Sequence, residues 1–501
     1  MRMFSLIHLT SSNGVSRASG QLSHESGCSM RAVEDSREGV TGSWNWDGTS
    51  FELETDQFGY LPYYYHHDEI SGTLLVSDSP QRIASSLGDV SFDPLALGFF
   101  ARAGFMIGDR SPYEGVKRVP GGSILRWSGA GLSITPLETG ACSDVPRTPD
   151  DAVDGFIDRF RSAMQSRSGL SEDLVLPLSA GRDSRMMLLA LRDLGVLPRE
   201  LVTIGSSGNA DVRIASSLAQ ALDIPFRRIT GGEAGWSDLE QERHRRCGYE
   251  ALEHVWLIPL WNDLLRGGSA WFDGLGCGSV LRNEVNHPQA LSLLRQGRYQ
   301  EWCEGFFART AAPPARWVDR IRAVSPVPIA DDVDVIDVVR DELERHLEQP
   351  NPITSFTFHN WGRRSISLNP LGICREARSI GLPYMDRALV DWSLSIPAEW
   401  CFERDIQTEA CHRLFPEFRD LPFTISGSAN HNAASFVSRI RNRIQKRRFF
   451  KNEGGCFRDL HRSGSAASRR DPDFSRAVVL MTHLSLVDKA HVVRESESGS
   501  E

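Results

Sequence analysis

At 501 residues the chain is longer than one hydrophobic core ordinarily holds together, so two domains plus extensions are expected. Its 40% hydrophobic and 24% charged residues are a globular composition, and a formal net charge of −9 gives no ground for a nucleic-acid partner. No stretch approaches the roughly 20 consecutive apolar residues of a membrane helix, so no membrane association is expected.

The nine cysteines are scattered without a CxxC pair and read as reduced thiols. The opening MRMFSLIHLTSSNG has too short an apolar run for a secretory signal, and the expected location is the cytoplasm. Residues 1–142 read as β-rich: GSWNWDGTSFELETDQFGYLPYYYHH and GTLLVSDSPQRIASSL alternate in short segments punctuated by Asp-Gly, Gly and Pro, the pattern of hairpins in layered sheets. His66 and His67 close a Tyr-rich strand and read as its exposed end rather than a metal site. A helix is expected in FDPLALGFFARAG and a closing hairpin in VPGGSILRWSGAGLSI, and the aperiodic CSDVPRTPDD marks a boundary.

Beyond residue 151 strands alternate with helices. AVDGFIDRFRSAM has the i, i+3, i+4 spacing of a helix, DLVLPLS is a buried strand and RMMLLALRDLG a helix ending in Gly. RELVTIGSS and ADVRIASSLAQALD repeat the pattern, with Asn209 or Asp211 as the helix cap. This order means a parallel sheet covered on both faces. Residues 236–400 read as mostly helical, with Trp256, Trp261, Trp271, Trp361 and Trp392 expected in the core and one further strand and turn in SAWFDGLGCGSV. Past Ser426, SRIRNRIQKRRFFK holds seven positive residues and no acid, and RESESGSE reads as disordered.

The chemistry concentrates in Ser179-Ala180-Gly181-Arg182-Asp183-Ser184, between a buried strand and a helix. Amides at the helix start face the crevice above the sheet, small residues let a ligand approach, and an anion fits there. A carboxylate at Asp183 repels a phosphate unless Mg²⁺ lies between them. The alternative is a helix N-cap, with Asp183 or Ser184 satisfying first-turn amides.

LSAGRDS resembles the SGGxDS pyrophosphate loop of the asparagine synthetase group of ATP pyrophosphatases, which includes β-lactam synthetases and lasso-peptide cyclases. VTIGSSGNADVRIASSLAQALDIP is similar to the adenine-side strand and helix of that group, FDGLGCGSVLRN to its second phosphate loop, and ICREARSIGLPYMDRALVDWSLSIPAEW to its late EAR segment. The stretch from TDQFGYLPYYY to VPGGSILRW is similar to part of the glutaminase domain. The resemblance implies an α/β fold: a degenerate N-terminal-nucleophile-type αββα sandwich over 1–142, a doubly wound parallel-sheet synthetase domain over 150–430, and a basic helical extension with a disordered tail over 431–501.

It also implies ATP held by Leu178, Ser179, Gly181, Asp183 and Ser184, with Ile204, Gly205 and Asp211 on the adenine side and Asp273, Gly274 and Gly276 in the second loop. Mg²⁺ falls to Asp183, and the catalytic residues implied are Asp183, Glu376 and Arg378; the last two read equally as a buried ion pair. Three departures stand out. Met1 is followed by Arg2, and Cys28 lies too far inside the chain to be a glutaminase nucleophile. Gly278 stands where the second loop of the group has an acid, with Asp273 as a substitute. The group often places a Lys near the reacting carbonyl, but EACHRLFPEFRDLPFTISGSANH has no Lys, with Arg413, Arg419 and His431 among its basic groups, and Lys446 and Lys451 lie beyond it.

The function implied is an AMP-forming amide synthetase using ATP and Mg²⁺ on a small-molecule or peptide carboxylate, with a precursor peptide or pathway protein as partner. Intramolecular cyclisation leads, amidation of a glycan or metabolite carboxylate is the alternative, and a nucleotide-binding pseudoenzyme or scaffold is the second.

Overall fold

A computed structural model describes residues 6–12, 15–20, 30–35, 40–88, 90–137, 144–169, 173–230, 257–281, 285–310, 312–367, 371, 379–420, 480 and 484. The N-terminal half is built on two five-stranded antiparallel sheets. One has the order β2-β1-β7-β6-β8, from β1 (Ile7–Ser12), β2 (Val15–Gly20), β6 (Tyr64–Asp68), β7 (Thr73–Ser77) and β8 (Lys117–Arg118). The other has the order β10-β9-β5-β4-β3, from β3 (Met30–Asp35), β4 (Thr41–Trp46), β5 (Ser50–Glu54), β9 (Ser123–Ser128) and β10 (Gly131–Pro136).

The β4–β5 hairpin follows from its turn: Asp47 accepts the amides of Thr49 and Ser50 at 2.8 and 2.7 Å, which sets the register that turns Phe51 and Leu53 inward. Those residues meet Trp127, Leu9 and Leu74 between the sheets. On the far face of the first sheet, Tyr64 and Leu75 pack against helices α1 (Pro80–Leu87) and α2 (Pro94–Ala103), the latter capped by Asp93. The outer face of the second sheet carries the exposed Arg126–Glu52 pair.

Helix α3 (Pro149–Arg167), capped by Thr148, opens the second half. Strands β11 (Leu174–Pro177), β12 (Glu200–Ile204), β13 (Phe226–Ile229), β14 (Ala270–Phe272) and β15 (Ile380–Gly381) form a parallel sheet in the order β13-β12-β11-β14-β15. Its first crossovers are α4 (Arg182–Asp193) and α5 (Ala210–Ala221), and α6 (Ile258–Gly267) precedes β14. The helical remainder comprises α7 (Cys277–Val280), α8 (Pro288–Arg295), α9 (Tyr299–Phe307), α10 (Ala315–Arg322), α11 (Asp332–Glu344), α12 (Pro352–Thr357), α13 (Arg363–Ile366), α14 (Arg387–Leu394), α15 (Ala398–Glu403) and α16 (Ile406–Leu414). No described helix is long and apolar enough to cross a membrane.

Between α12 and α13 the chain makes a π-helical turn, Phe358–Gly362, an insertion that re-aims the side chains it carries. This segment fastens the halves together. Asn360 accepts the Gly108 amide at 2.6 Å, Arg363 donates to the Gly108 carbonyl at 2.8 Å, and Arg364 donates to the carbonyls of Met106 and Gly108 at 2.7 and 2.6 Å. Ser367 donates to the Tyr60 carbonyl at 2.6 Å and accepts from the buried Arg118 at 3.0 Å.

Trp261, Trp271 and Trp392 lie in the core as expected, but Trp361 does not: carried by the π turn, it is half-buried and lines the cleft described below. Trp256 lies outside the described residues, as do the first two residues of the boundary stretch, 142 and 143, the basic stretch and the acidic tail. Leu480 and Leu484, one helical turn apart, are buried in the cluster that packs α1 and α2.

Candidate functional site

In the parallel sheet the strand order reverses at β11, the point at which a crevice forms beyond the carboxyl ends of the strands. A cleft of about 980 Å³ lies there, lined by the turns after β11, β12 and β14 and roofed by α6, α8, the π turn and the α15–α16 junction.

The β11 turn is braced from within. Leu178 donates to the Val202 carbonyl at 2.8 Å, and Thr203 donates to the Leu178 carbonyl at 2.5 Å. The Ser184 hydroxyl accepts the Ser179 amide at 3.1 Å, and the Ser179 hydroxyl accepts the Gly181 amide at the same distance. Asn209 caps α5 by accepting the Asp211 amide at 2.8 Å, which settles the choice left open by the sequence; Asp211 instead accepts the Ala180 amide at 3.0 Å and ties the turn to the neighbouring crossover. Gly181 is the N-cap of α4 and no side chain caps that helix, so the capping role considered for Asp183 and Ser184 is not what they do. The start of α4 therefore faces the cleft as a cluster of partial positive charge.

Asp183 sits in that first turn. Gln407, buried at the start of α16, donates to its Oδ1. Burial pushes the Asp183 carboxyl above the ordinary carboxylate range; Asp273 and Asp405 add to the rise, and Gln407 and Arg182 oppose it. The second loop comes equally close. A Cβ on Gly274 would stand 3.0 Å from the Cβ of Asp183, so only glycine lets the loops touch without displacement. Asp273 braces its own loop by accepting the Leu275 amide at 2.9 Å. The Tyr384 hydroxyl donates to the Asp183 carbonyl at 3.1 Å from beneath, and burial holds both it and the Cys277 thiol well above their ordinary pKa values.

The cations on the cleft wall are committed to carboxylates. Arg182 pairs with Asp405 and donates to Thr408 at 2.7 Å; Arg404 pairs with Glu409 and, at 3.0 Å, with Asp150. His287 caps α8, its Nδ1 accepting the Ala290 amide at 3.3 Å, and burial followed by Arg309 lowers its pKa. A neutral ring accepting at Nδ1 carries its proton on Nε2.

Of the residues singled out in the sequence, Leu178, Ser179, Gly181, Asp183, Ser184, Ile204, Asp211, Asp273, Gly274 and Gly276 all border this one cleft. Gly205 stands behind it. At φ +152° it turns the chain out of β12, and a Cβ there would meet the Asn209 amide nitrogen at 3.1 Å. Glu376, Arg378, His431, Lys446 and Lys451 lie outside the described residues. Gly278 borders the cleft with nothing within 4 Å of its would-be Cβ. Arg413 is turned away into a network with Asp150, Asp154 and Glu409.

The sequence reading missed Gln407, Arg404 and Trp361. It sought a basic residue from Glu409 onward, and Arg404 lies five positions earlier. Nothing local marks Gln407, which meets Asp183 across 224 residues of chain.

No family model matches the chain, and no curated protein matches it. Among solved structures it is similar to glutamine phosphoribosylpyrophosphate amidotransferase from B. subtilis, at 10% identity and a TM-score of 0.14 over 38% of this chain and 32% of that one. It is similar to a U34-tRNA thiolase from Methanococcus maripaludis at 10% identity and a TM-score of 0.23, over 62% of this chain and 78% of the thiolase. NMN synthetase from Francisella tularensis is covered over 100% of its length and 56% of this chain, at 13% identity and a TM-score of 0.18. The chain spans about a third of the length of the amidotransferase it matches. At scores this low these are likenesses of parts, and what the cleft can do follows from its own geometry: two acid-bearing loops facing an uncapped helix start.

Proposed function

We propose that the cleft binds ATP with Mg²⁺ and that the protein is an AMP-forming ligase, adenylating a carboxylate and passing it to an amine. The observation that carries this reading is the placement of Asp183: a desolvated carboxylate in the first turn of an uncapped helix, with Asp273 close enough to raise its pKa further. A triphosphate alone would be repelled by these acids, and the nearby cations Arg182 and Arg404 are already paired. Hard carboxylate oxygens in that setting suit Mg²⁺, which binds through one or two carboxylates plus phosphates and keeps several waters. Asp183 and Asp273 would hold it, and bound there it would neutralise the departing pyrophosphate.

The amides opening α4 hold the pyrophosphate end, the hydroxyls of Ser179 and Ser184 fix the shape of the turn, and Ile204, Leu257 and Leu260 offer an apolar slot for the base on the β12 side. A substrate carboxylate oxygen attacks the α-phosphorus; the new O–P bond forms as the bond to pyrophosphate breaks. The amine then attacks the acyl carbon, AMP leaves, and the amine gives up its proton. Arg182 and Arg404 both line the cleft, and either would have to leave its carboxylate partner to meet the charge on the acyl oxygen. Intramolecular cyclisation of a peptide or metabolite is the leading form of this reaction, and intermolecular amidation of a glycan or metabolite carboxylate the second.

The test is pyrophosphate release from ATP and Mg²⁺ with hydroxylamine as a general amine trap. Release that depends on a carboxylate and on Asp183 supports the reading. Nucleotide binding without release supports a pseudoenzyme instead.

A further inference from the structure

The strand order gives the cleft two ends. Ile204 and Asp211 follow β12 on one side of β11, while the wall beyond β14 is made by the start of α8, the π turn and α15. All the acids of the lining belong to the first end, to the two loops and to Asp405. The far wall is different in kind: among the described residues it presents Asn286, His287, Thr357, Trp361, Cys401 and Phe402. None of these six carries a charge, His287 included, since its pKa is lowered and its Nδ1 is occupied by the Ala290 amide, while Arg404 and Asp405, which follow Phe402 on the same lining, are paired with Glu409 and Arg182.

Trp361 is the largest surface on that wall and it is held from outside the second half. Its ring lies parallel to Phe105, with 2° between the planes and 5.7 Å between the centroids. Phe105 is itself buried and immediately precedes Met106 and Gly108, whose carbonyls Arg364 and Arg363 grip. Asn360, next to Trp361, takes the Gly108 amide and donates to the Phe356 carbonyl at 3.0 Å across the widened turn. The indole is therefore fixed in place before any ligand arrives, which lowers the entropic cost of stacking on it.

Resting on the ligase reading, we propose that the acyl substrate is a carboxylate that carries an aromatic or bulky apolar group, seated on Trp361 against Phe402, with the N-terminal half serving to position that wall. A free amino acid such as aspartate fits poorly. It has no ring or bulky apolar group to lay on the indole, so the apolar faces of Trp361 and Phe402 would stay uncovered.

The probes are N-acetyl-L-phenylalanine and L-aspartate, titrated calorimetrically into the full-length protein with and without Mg²⁺ and α,β-methylene-ATP. N-acetyl-L-phenylalanine is expected to bind at least about tenfold more tightly than L-aspartate. Trp361→Ala should weaken it about tenfold, the scale of one aromatic stack, with Trp361→Phe retaining most of the affinity. Phe105→Leu, which removes the ring beneath the indole, should weaken the acid and leave the affinity for α,β-methylene-ATP within about twofold of the parent protein, and a thermal midpoint close to the parent shows that each variant is folded. Tighter or equal binding of L-aspartate overturns the proposal, as does binding of neither acid or indifference to Trp361→Ala and Phe105→Leu in folded protein. If the nucleotide analogue fails to bind while the acid still binds through Trp361, the ATP reading falls and this one stands.

Discussion

Replacing Asp183 with Asn separates what the carboxylate does for the ligand from what it does to the fold. The amide keeps an oxygen for the Gln407 donor and keeps the contact with Gly274, so the packing of the two loops is preserved. What goes is a charge that burial, Asp273 and Asp405 all disfavour. Since the folded-state pKa lies above the unfolded one, the stability linked to this group is fully present at acid pH and is lost as pH rises through the carboxyl range. The variant lacks that loss, and at pH 7 its thermal midpoint should equal or exceed that of the parent. The ligand reverses the order. At a Mg²⁺·ATP concentration 100 times its dissociation constant, binding stabilises the parent by about 2.7 kcal/mol, about 3 °C in midpoint for a chain of this length unfolding as one unit. Loss of one preorganised electrostatic group costs about 3 kcal/mol, which weakens binding at least about a hundredfold. At the same nucleotide concentration the variant then gains about 0.4 kcal/mol, about 0.4 °C. Thermal unfolding with and without Mg²⁺·ATP, alongside pyrophosphate release, reads both effects. A variant that keeps the nucleotide-dependent shift and the release would refute the placement of phosphate and metal at this loop.

Gln407→Leu removes the donor that lowers the Asp183 pKa, so the acid limb of the pH–rate profile for pyrophosphate release should move to higher pH, with about 1.5 to 3 kcal/mol lost from chemical stability at pH 7. Gly278→Asp introduces a carboxylate into open space beside the second loop and should tighten apparent Mg²⁺ affinity in a titration at fixed ATP; unchanged affinity would show that this position does not reach the phosphates. His359 donates to the Ser355 carbonyl at 2.9 Å, and burial, with His346 beside it, lowers its pKa from 6.5 to about 4. Stability should be fully present above pH 6.5 and fall by up to about 3 kcal/mol as pH drops toward 4, a slope that His359→Gln removes in urea titrations at each pH.

How legible all this was depends on distance along the chain. The turn after β11 announces itself because its chemistry is local: an apolar run to Leu178, small residues where the backbone must come close, an acid where an anion is expected, and a helix pattern directly after. The parallel sheet was readable for the same reason, strand and helix following each other within a few residues. The pairing of β1 with β7 was not, because register across more than sixty residues leaves no periodic trace in either strand. Gln407, Arg404 and Trp361 are harder still. Each is an ordinary residue in an ordinary helix pattern, and it becomes part of the cleft only because α16 and the π turn are carried there by packing. Composition points Trp361 to the core, as it does Trp261 and Trp271, but this ring packs on a core cluster with one side and borders the cleft with the other.

The grip of Arg363 and Arg364 on the carbonyls of Met106 and Gly108 bears on how this chain can be taken apart. Cut between residues 142 and 150, where composition suggests a seam, the second half would keep two guanidinium groups positioned for acceptors that are no longer in the molecule, and would expose Phe358 where Phe58 and Tyr60 had packed edge-on. Water can take over those donors, but the apolar surface opened around Phe358 costs about 25 cal/mol per Å² exposed, a large part of the margin by which a domain stays folded. The fragment is therefore expected to be insoluble or to expose sites to protease, and the chain to unfold in one transition. The early sheets would then act as an obligatory chaperone within the molecule, needed for the second half to exist whether or not they ever perform a reaction of their own.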